Sequence, residues 1–182
     1  MLILFIVLIL GLVGIDQLLK FLVVANIPES VNYAKAFWTW SIGDFKLFSL
    51  THIRNDGAGF SILGGQTVFL LILTLILMIG VVAYLVIKHK SMTKLEAICL
   101  CLIAAGGLGN FIDRVRMLIE PDFTGVIDYI KTEFVDFPVY NFADICVVIG
   151  AFGFCIIQIV IEIKAAKNRK SEKALESQNE QV

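Results

Sequence analysis

The chain has 182 residues, of which 58% are hydrophobic and only 17% charged, with 15 Lys+Arg against 16 Asp+Glu. A soluble domain has roughly 45–50% apolar and about 25% charged residues, so this composition excludes an ordinary cytosolic globule. The net charge of −1 also leaves no basic face for nucleic acid, and no nucleic-acid partner is expected.

Four apolar stretches are long enough to cross a bilayer, which takes roughly 20 helical residues. The first covers about 1–24 and is interrupted by Asp16 and Lys20. It lacks a basic start and a small-x-small cleavage site, so it is expected to stay as a helix rather than be removed. Asp16 and Lys20 are four apart and share a helix face. Taken alone they read as a self-neutralising pair near the outer end, with Lys20 snorkelling, or as a substrate-positioning pair.

Residues 30–54 carry Tyr33, Phe37, Trp38, Trp40, Phe45 and Phe48 with partial alternation. That pattern predicts short strands with aromatics at the membrane interface. The run NDGAGF at 55–60 follows. It reads as a tight turn, or as a place where Asn55 donates hydrogen bonds beside Gly57 and Ala58. The second span, about 66–87, contains no charge. The third, about 95–112, holds Gly106, Gly107 and Gly109, small residues that let membrane helices approach closely. Asn110, Asp113 and Arg114 follow at i, i+3 and i+4, which predicts one shared face and an Asp–Arg pair at the helix end.

The connection 113–141 is acidic, with six Asp/Glu against three Lys/Arg, and its apolar content predicts an interfacial loop or short helix. The fourth span, about 142–163, opens with Asn141 in an N-cap position and Asp144 one turn inside. Residues 165–182 form a basic and polar tail, expected to be disordered. Basic residues in 88–94 and in 164–173 place both on the cytoplasmic side. Both termini are then inside, and the polar residues of the spans gather at the outer face. The four cysteines, Cys99, Cys101, Cys146 and Cys155, read as small buried hydrophobes.

This chemistry is narrow. HExxH and GxSxG are absent, and His52 and His89 are on opposite sides of the predicted topology, so no metal and no cofactor is expected. What remains is carboxylate chemistry. Two nearby aspartates resist double ionisation, so one can take a proton from water while the other, protonated, holds a scissile carbonyl. A small proton-coupled transporter or channel, or a non-enzymatic scaffold, are the alternatives. Intramembrane acids also mark ion paths, but a transporter calls for acids spread through the bilayer depth.

Five ordered elements carry a resemblance: DQLLK at 16–20, NDGAGF at 55–60, GGLGNFIDR at 106–114, GVIDYI at 125–130 and FPVYNFAD at 137–144. In this order, across four spans, the sequence resembles the lipoprotein signal peptidase (signal peptidase II) family over roughly residues 10–160. The resemblance implies a four-helix integral membrane protein with a small extracytoplasmic β-sheet, in the bacterial plasma membrane. It implies an aspartic endopeptidase that removes signal peptides from diacylglyceryl-modified prolipoproteins, cutting before the lipidated cysteine. Carried over, the catalytic pair is Asp128 and Asp144. Asp16, Lys20, Asn55, Gly57, Ala58, Asn110, Asp113, Arg114 and Asn141 match supporting positions. Asp136, in VDF, is the alternative first acid. The expected partners are the lipidated substrate and the bilayer, with a monomer as the acting unit. On this resemblance, the small residues also suggest room for the substrate's signal helix between spans three and four. The segment between Asp113 and Asp128 is longer than the family usually has, and residues 115–135 are expected to close over the site.

Overall fold

The structure, a computed structural model, describes residues 2–30, 36–57 and 65–179, with side chains through residue 170. Its elements in chain order are α1 (Leu2–Asn26), β1 (Trp38–Ile42), β2 (Phe45–Asn55), α2 (Thr67–Lys88), α3 (Lys94–Ile119), β3 (Val126–Thr132) and α4 (Phe142–Asn179). All four helices are long and apolar enough to cross a membrane. The four-span, small-sheet architecture expected from the sequence is therefore present.

The hub of the bundle is α3. Its apolar window is 56% buried, against 11% for the windows of the other three helices. The cause is its small residues. A Cβ at Gly106 would run into the carbonyl oxygen of Ala143 and the side chain of Val147. From the other side, a Cβ at Gly150 would lie 2.6 Å from the carbonyl oxygen of Cys99. Backbone thus meets backbone along the α3–α4 seam, as small residues allow in membranes. The gap anticipated there for a substrate helix does not exist, because the missing side chains are what closes it. Helix α3 begins at a capping box. Thr93 Oγ1 accepts from the Glu96 amide and Glu96 Oε2 accepts from the Thr93 amide, at 3.2 and 2.6 Å. Gln158 of α4 donates to Glu96 Oε1 at 2.7 Å, which accounts for an acid at a membrane-helix end.

Two boundaries differ from expectation. Helix α3 runs one to two turns further, to Ile119, and α4 continues as helix through Asn179. The tail expected to be irregular is rich in Lys, Ala and Glu, which propagate a helix once one is started. Cys99, Cys101 and Cys146 are buried as anticipated, but Cys155 is exposed, on the outer side of the bundle where lipid replaces protein contacts.

The three strands form one antiparallel sheet in the order β1-β2-β3. Gly43, at φ 60°, and Asp44 turn β1 into β2, with Ile42 opposite Phe45. Strand β3 replaces the interfacial loop or helix expected between the last two spans. Val126, Ile127 and Ile130 suit a pleated surface, and the long β2 offers them an edge to pair with. Ile53 lies opposite Asp128 and Asn55 opposite Val126. One face of the sheet packs on α1 through a cluster of Val23, Ile27, Phe123, Ile127 and Tyr129. Phe123 lies under two guanidinium groups, Arg54 at 4.6 Å and Arg116 at 3.9 Å from its ring centre. The first half of the segment expected to cover the site is therefore pinned into this core instead; only its second half, from Val126 on, reaches the cavity described below.

The seam makes a clear contrast between two glycines. Gly106→Ala forces a methyl into the Ala143 carbonyl and is expected to cost about 1–3 kcal/mol. Gly80→Ala on α2, where nothing lies within 4 Å of the added atom, is expected to be neutral. Thermal unfolding of the two variants in detergent micelles measures the difference.

Candidate active site

The site grows from a buried cation. Lys20 is 1% exposed and its ammonium has three acceptors: Asp16 Oδ2 at 2.9 Å, Asp113 Oδ2 at 2.8 Å and Asn110 Oδ1 at 3.0 Å. Three N–H donors meet three oxygens. Lys20 therefore turns inward rather than snorkelling, and it ties α1 to α3 rather than only neutralising Asp16. Gln17 Nε2 approaches Asp16 Oδ2, the Gly109 carbonyl and Asp113 Oδ1 at 3.1–3.3 Å. Gly109 leaves the space this cluster needs: a Cβ there would sit 2.5 Å from Asp16 Oδ2.

Asp113 and Arg114 do not pair with each other. One residue apart on a helix is a rotation of about 100°, and here that separates them. Asp113 faces Lys20 and accepts from the Ile127 amide at 3.4 Å. Arg114 points the other way, to the Gly57 carbonyl at 3.4 Å. Asn110 is between them, and its Nδ2 donates to Asp144 Oδ1 at 2.7 Å.

The start of α4 is held by side chains from β3, from α1 and from the residue just before the helix. The Phe142 amide donates to Tyr129 Oη at 3.2 Å, the Ala143 amide to Asp16 Oδ1 at 3.1 Å, and the Asp144 amide to Asn141 Oδ1 at 3.1 Å. Asp144 Oδ2 accepts in return from the Asn141 amide at 3.0 Å. This is a reciprocal capping arrangement with Asn141 as N-cap. Asn141 Nδ2 then reaches Asp128 Oδ1 at 2.6 Å and Asn110 Oδ1 at 3.0 Å. On the far side of Asp128, Asn55 Nδ2 donates to Oδ2 at 2.9 Å, while Asn55 Oδ1 accepts from the Gly57 amide at 3.0 Å.

Asp128, Asp144, Asn55, Gly57, Asn110 and Arg114 all line one cavity of about 570 Å³. Its walls are apolar, including Phe134, Phe137, Pro138, Ile145, Val148 and Ile149. Burial pushes the Asp128 carboxyl up to about 7, the nearby Asp144 carboxylate pushes the same way, and the amides of Asn55 and Asn141 pull it back. Asp136 is exposed in the loop after β3 and does not line this cavity. Among the described residues, no group of three or more His, Cys, Asp or Glu side chains is placed to hold a metal ion. Ala58 lies outside the described residues. Of the described sequence candidates, Asp16, Lys20 and Asp113 form the buried support, Asn55, Gly57, Asn110, Arg114, Asp128 and Asp144 line the cavity, and Asn141 is buried behind it, bonded to Asp128 and Asp144. Gln17 and Tyr129 were not anticipated. Gln17 lies inside the DQLLK element and Tyr129 directly follows Asp128, so adjacency was the available signal.

A sequence model of the family described as Signal peptidase (SPase) II matches residues 8–161. The chain belongs to the signal peptidase II family. Among its relatives, the lipoprotein signal peptidase of Enterococcus faecalis is 38% identical over 166 residues, 88% of this chain and 89% of that protein. That of Streptococcus thermophilus is 39% identical over 150 residues, covering 82% and 88%. A solved bacterial membrane enzyme, determined by the in meso method at 2.3 Å, superposes with a TM-score of 0.67 at 30% identity, covering 90% of each chain. A second, at 1.9 Å, gives 0.65 at 30% identity over 85% of this chain and 91% of its own. As a signal peptidase II the protein is an aspartic peptidase and a bacterial multi-pass membrane enzyme.

Asp16 serves both the Lys20 ion pair and the α4 amide. Asp16→Ala is expected to cost about 3–5 kcal/mol, the range for breaking a buried charged pair. Folded yield and thermal midpoint should fall more than turnover per folded molecule, measured on the same preparation.

Proposed function

We propose that this signal peptidase II hydrolyses the peptide bond immediately before a diacylglyceryl-modified cysteine in prolipoproteins, using Asp128 and Asp144 as an acid–base pair. The observation that supports this most is the position of Asn141. It bonds Asp128 through its side chain and Asp144 through its backbone amide, so one residue holds both carboxyl groups at the polar floor of an apolar cavity.

The chemistry needs no covalent intermediate. The ionised carboxylate takes a proton from a water molecule, whose oxygen attacks the scissile carbonyl. The protonated carboxyl hydrogen-bonds the carbonyl oxygen as charge develops there. Collapse of the tetrahedral intermediate breaks the C–N bond, and the proton gained from water passes to the leaving amine. The lipid requirement has a physical cause. Diacyl chains partition at about 0.8 kcal/mol per CH₂, so they pin the cysteine at the interface. The apolar wall at Ile145, Val148 and Ile149 offers the membrane-embedded peptide a side to lie against.

The orientation follows from charge. Lys88, Lys90, Lys94, Lys164, Lys167, Arg169 and Lys170 are exposed at one end of the helices. The positive-inside rule assigns that end to the cytoplasm, with both termini there and the cavity at the outer face. One chain supplies every group named, which supports a monomer as the acting unit.

Asp128→Asn and Asp144→Asn are expected to abolish cleavage of a diacylglyceryl-modified substrate while the protein still accumulates in the membrane. Asp136→Asn is expected to cleave at the wild-type rate. Retained turnover in Asp144→Asn would remove the acid–base pair.

The pH behaviour has a definite sign. The folded protein holds the Asp128 proton up to about 7, whereas the unfolded chain releases it near the ordinary value of about 3.9. Between these limits the unfolded state binds fewer protons, so this residue lowers stability as pH rises. Turnover is expected to fall as pH passes upward through about 7. The thermal midpoint of Asp128→Asn relative to wild type should rise from about pH 4 and level off above about pH 7.

A further inference from the structure

Lys20 has no direct bond to either aspartate of the pair, yet it reaches one of them through a single amide. Its ammonium donates to Asn110 Oδ1, which also accepts from Asn141 Nδ2. An amide has one acceptor end and one donor end. Two donors on the oxygen side leave Asn110 Nδ2 no choice but to face Asp144 Oδ1, at 2.7 Å. The reversed amide would set N–H groups against an ammonium and another N–H group. Asp144 Oδ2 meanwhile accepts the Asn141 amide in the first turn of α4, where helix ends suit an anion. Asp128 has a different setting. It is 2% exposed and lies on a strand, and its donors among the described residues are both side-chain amides, with no helix terminus beneath it.

We infer that Lys20, acting through Asn110, is the positioning residue that divides the labour of the pair: Asp144 is the carboxylate that activates water, and Asp128 is the acid that donates to the carbonyl oxygen. This rests on the acid–base reading above. The charged groups around the pair are Lys20 and Asp16 from α1 and Asp113 and Arg114 from α3. Arg114 acts on both aspartates, so it does not distinguish them by itself. The Lys20 charge also reaches Asp128 through space, but among these described charged groups the lysine alone is joined to Asp144 by a hydrogen-bonded amide, that of Asn110. Removing the ammonium leaves Asn141 Nδ2 as the remaining donor on Asn110 Oδ1, so the amide is held on one side instead of two and the base's donor is less firmly fixed, while the cavity and its walls stay in place.

The test has a kinetic arm and a spectroscopic arm. Lys20→Met leaves two buried acids without a cation, so it is paired with Lys20→Met/Asp113→Asn, which keeps the net charge of the cluster. In folded protein, kcat on a diacylglyceryl-modified substrate is expected to fall roughly 10²-fold, the scale of a disturbed acid–base step. KM should change little, and the acidic limb of the kcat profile should move. Unchanged kcat and pH profile in the folded double variant overturn the role of Lys20. Infrared difference spectra near pH 5 read the proton directly. The C=O band of a protonated carboxylic acid should persist in Asp144→Asn and vanish in Asp128→Asn. A band that survives in Asp128→Asn, or vanishes in Asp144→Asn, overturns the division of labour. The acid–base pair itself fails separately, if either Asn variant still turns over.

Discussion

A single ammonium group, buried among apolar helices, organises this molecule. An unpaired charge in a low-dielectric interior is prohibitively costly, so Lys20 can stay inside only if three oxygens reach it. Those oxygens come from Asp16 on its own helix and from Asn110 and Asp113 on α3. Satisfying the lysine therefore fixes the rotation and height of α1 against α3. Asp16 passes the constraint on to α4 by accepting the Ala143 amide, and Asp113 passes it to the sheet through the Ile127 amide. The apolar surface of the helices cannot do this. Lipid is as apolar as leucine, and a greasy helix can slide or turn without penalty.

The small residues of α3 and α4 supply the complementary constraint. Close approach at Gly106 and Gly150 sets the distance between the two helices, and that distance brings Asn110 within reach of Asp144 and Asn141. Polar contacts set the register and glycines set the separation. Neither is sufficient without the other, because most N–H···O hydrogen bonds need donor and acceptor about 2.7–3.2 Å apart and well aligned.

Much of this was legible in the sequence for a physical reason. Charged and amide side chains inside apolar runs are so unfavourable that each needs a partner, and Asp16, Lys20, Asn110, Asp113 and Asp144 stood out on that ground. What pairs with what was not legible. The i, i+4 spacing of Asp16 and Lys20 predicted a local pair, and that pair exists, but the contacts to Asp113 and Asn110 depend on how two helices are rotated. The spacing of Asp113 and Arg114 pointed to a pair where the helix sends them apart. Strand β3 was hidden because its hydrophobic pattern suits an interfacial helix as well as a strand; the unpaired edge of β2 decides. The longer stretch before Asp128 looked like a cover, and became an anchor because Phe123 found a place between two arginines.

Asn141 has two jobs at once: it ends the free amides of α4 and it joins the two carboxyl groups. Helix ends are the first part of a helix to fray. If the opening turn of α4 unwinds, the link between Asp128 and Asp144 goes with it, while the rest of the bundle stays intact. On the proposed acid–base reading, a small molecule that wedges that turn open disarms the pair without competing for the cavity or melting the fold.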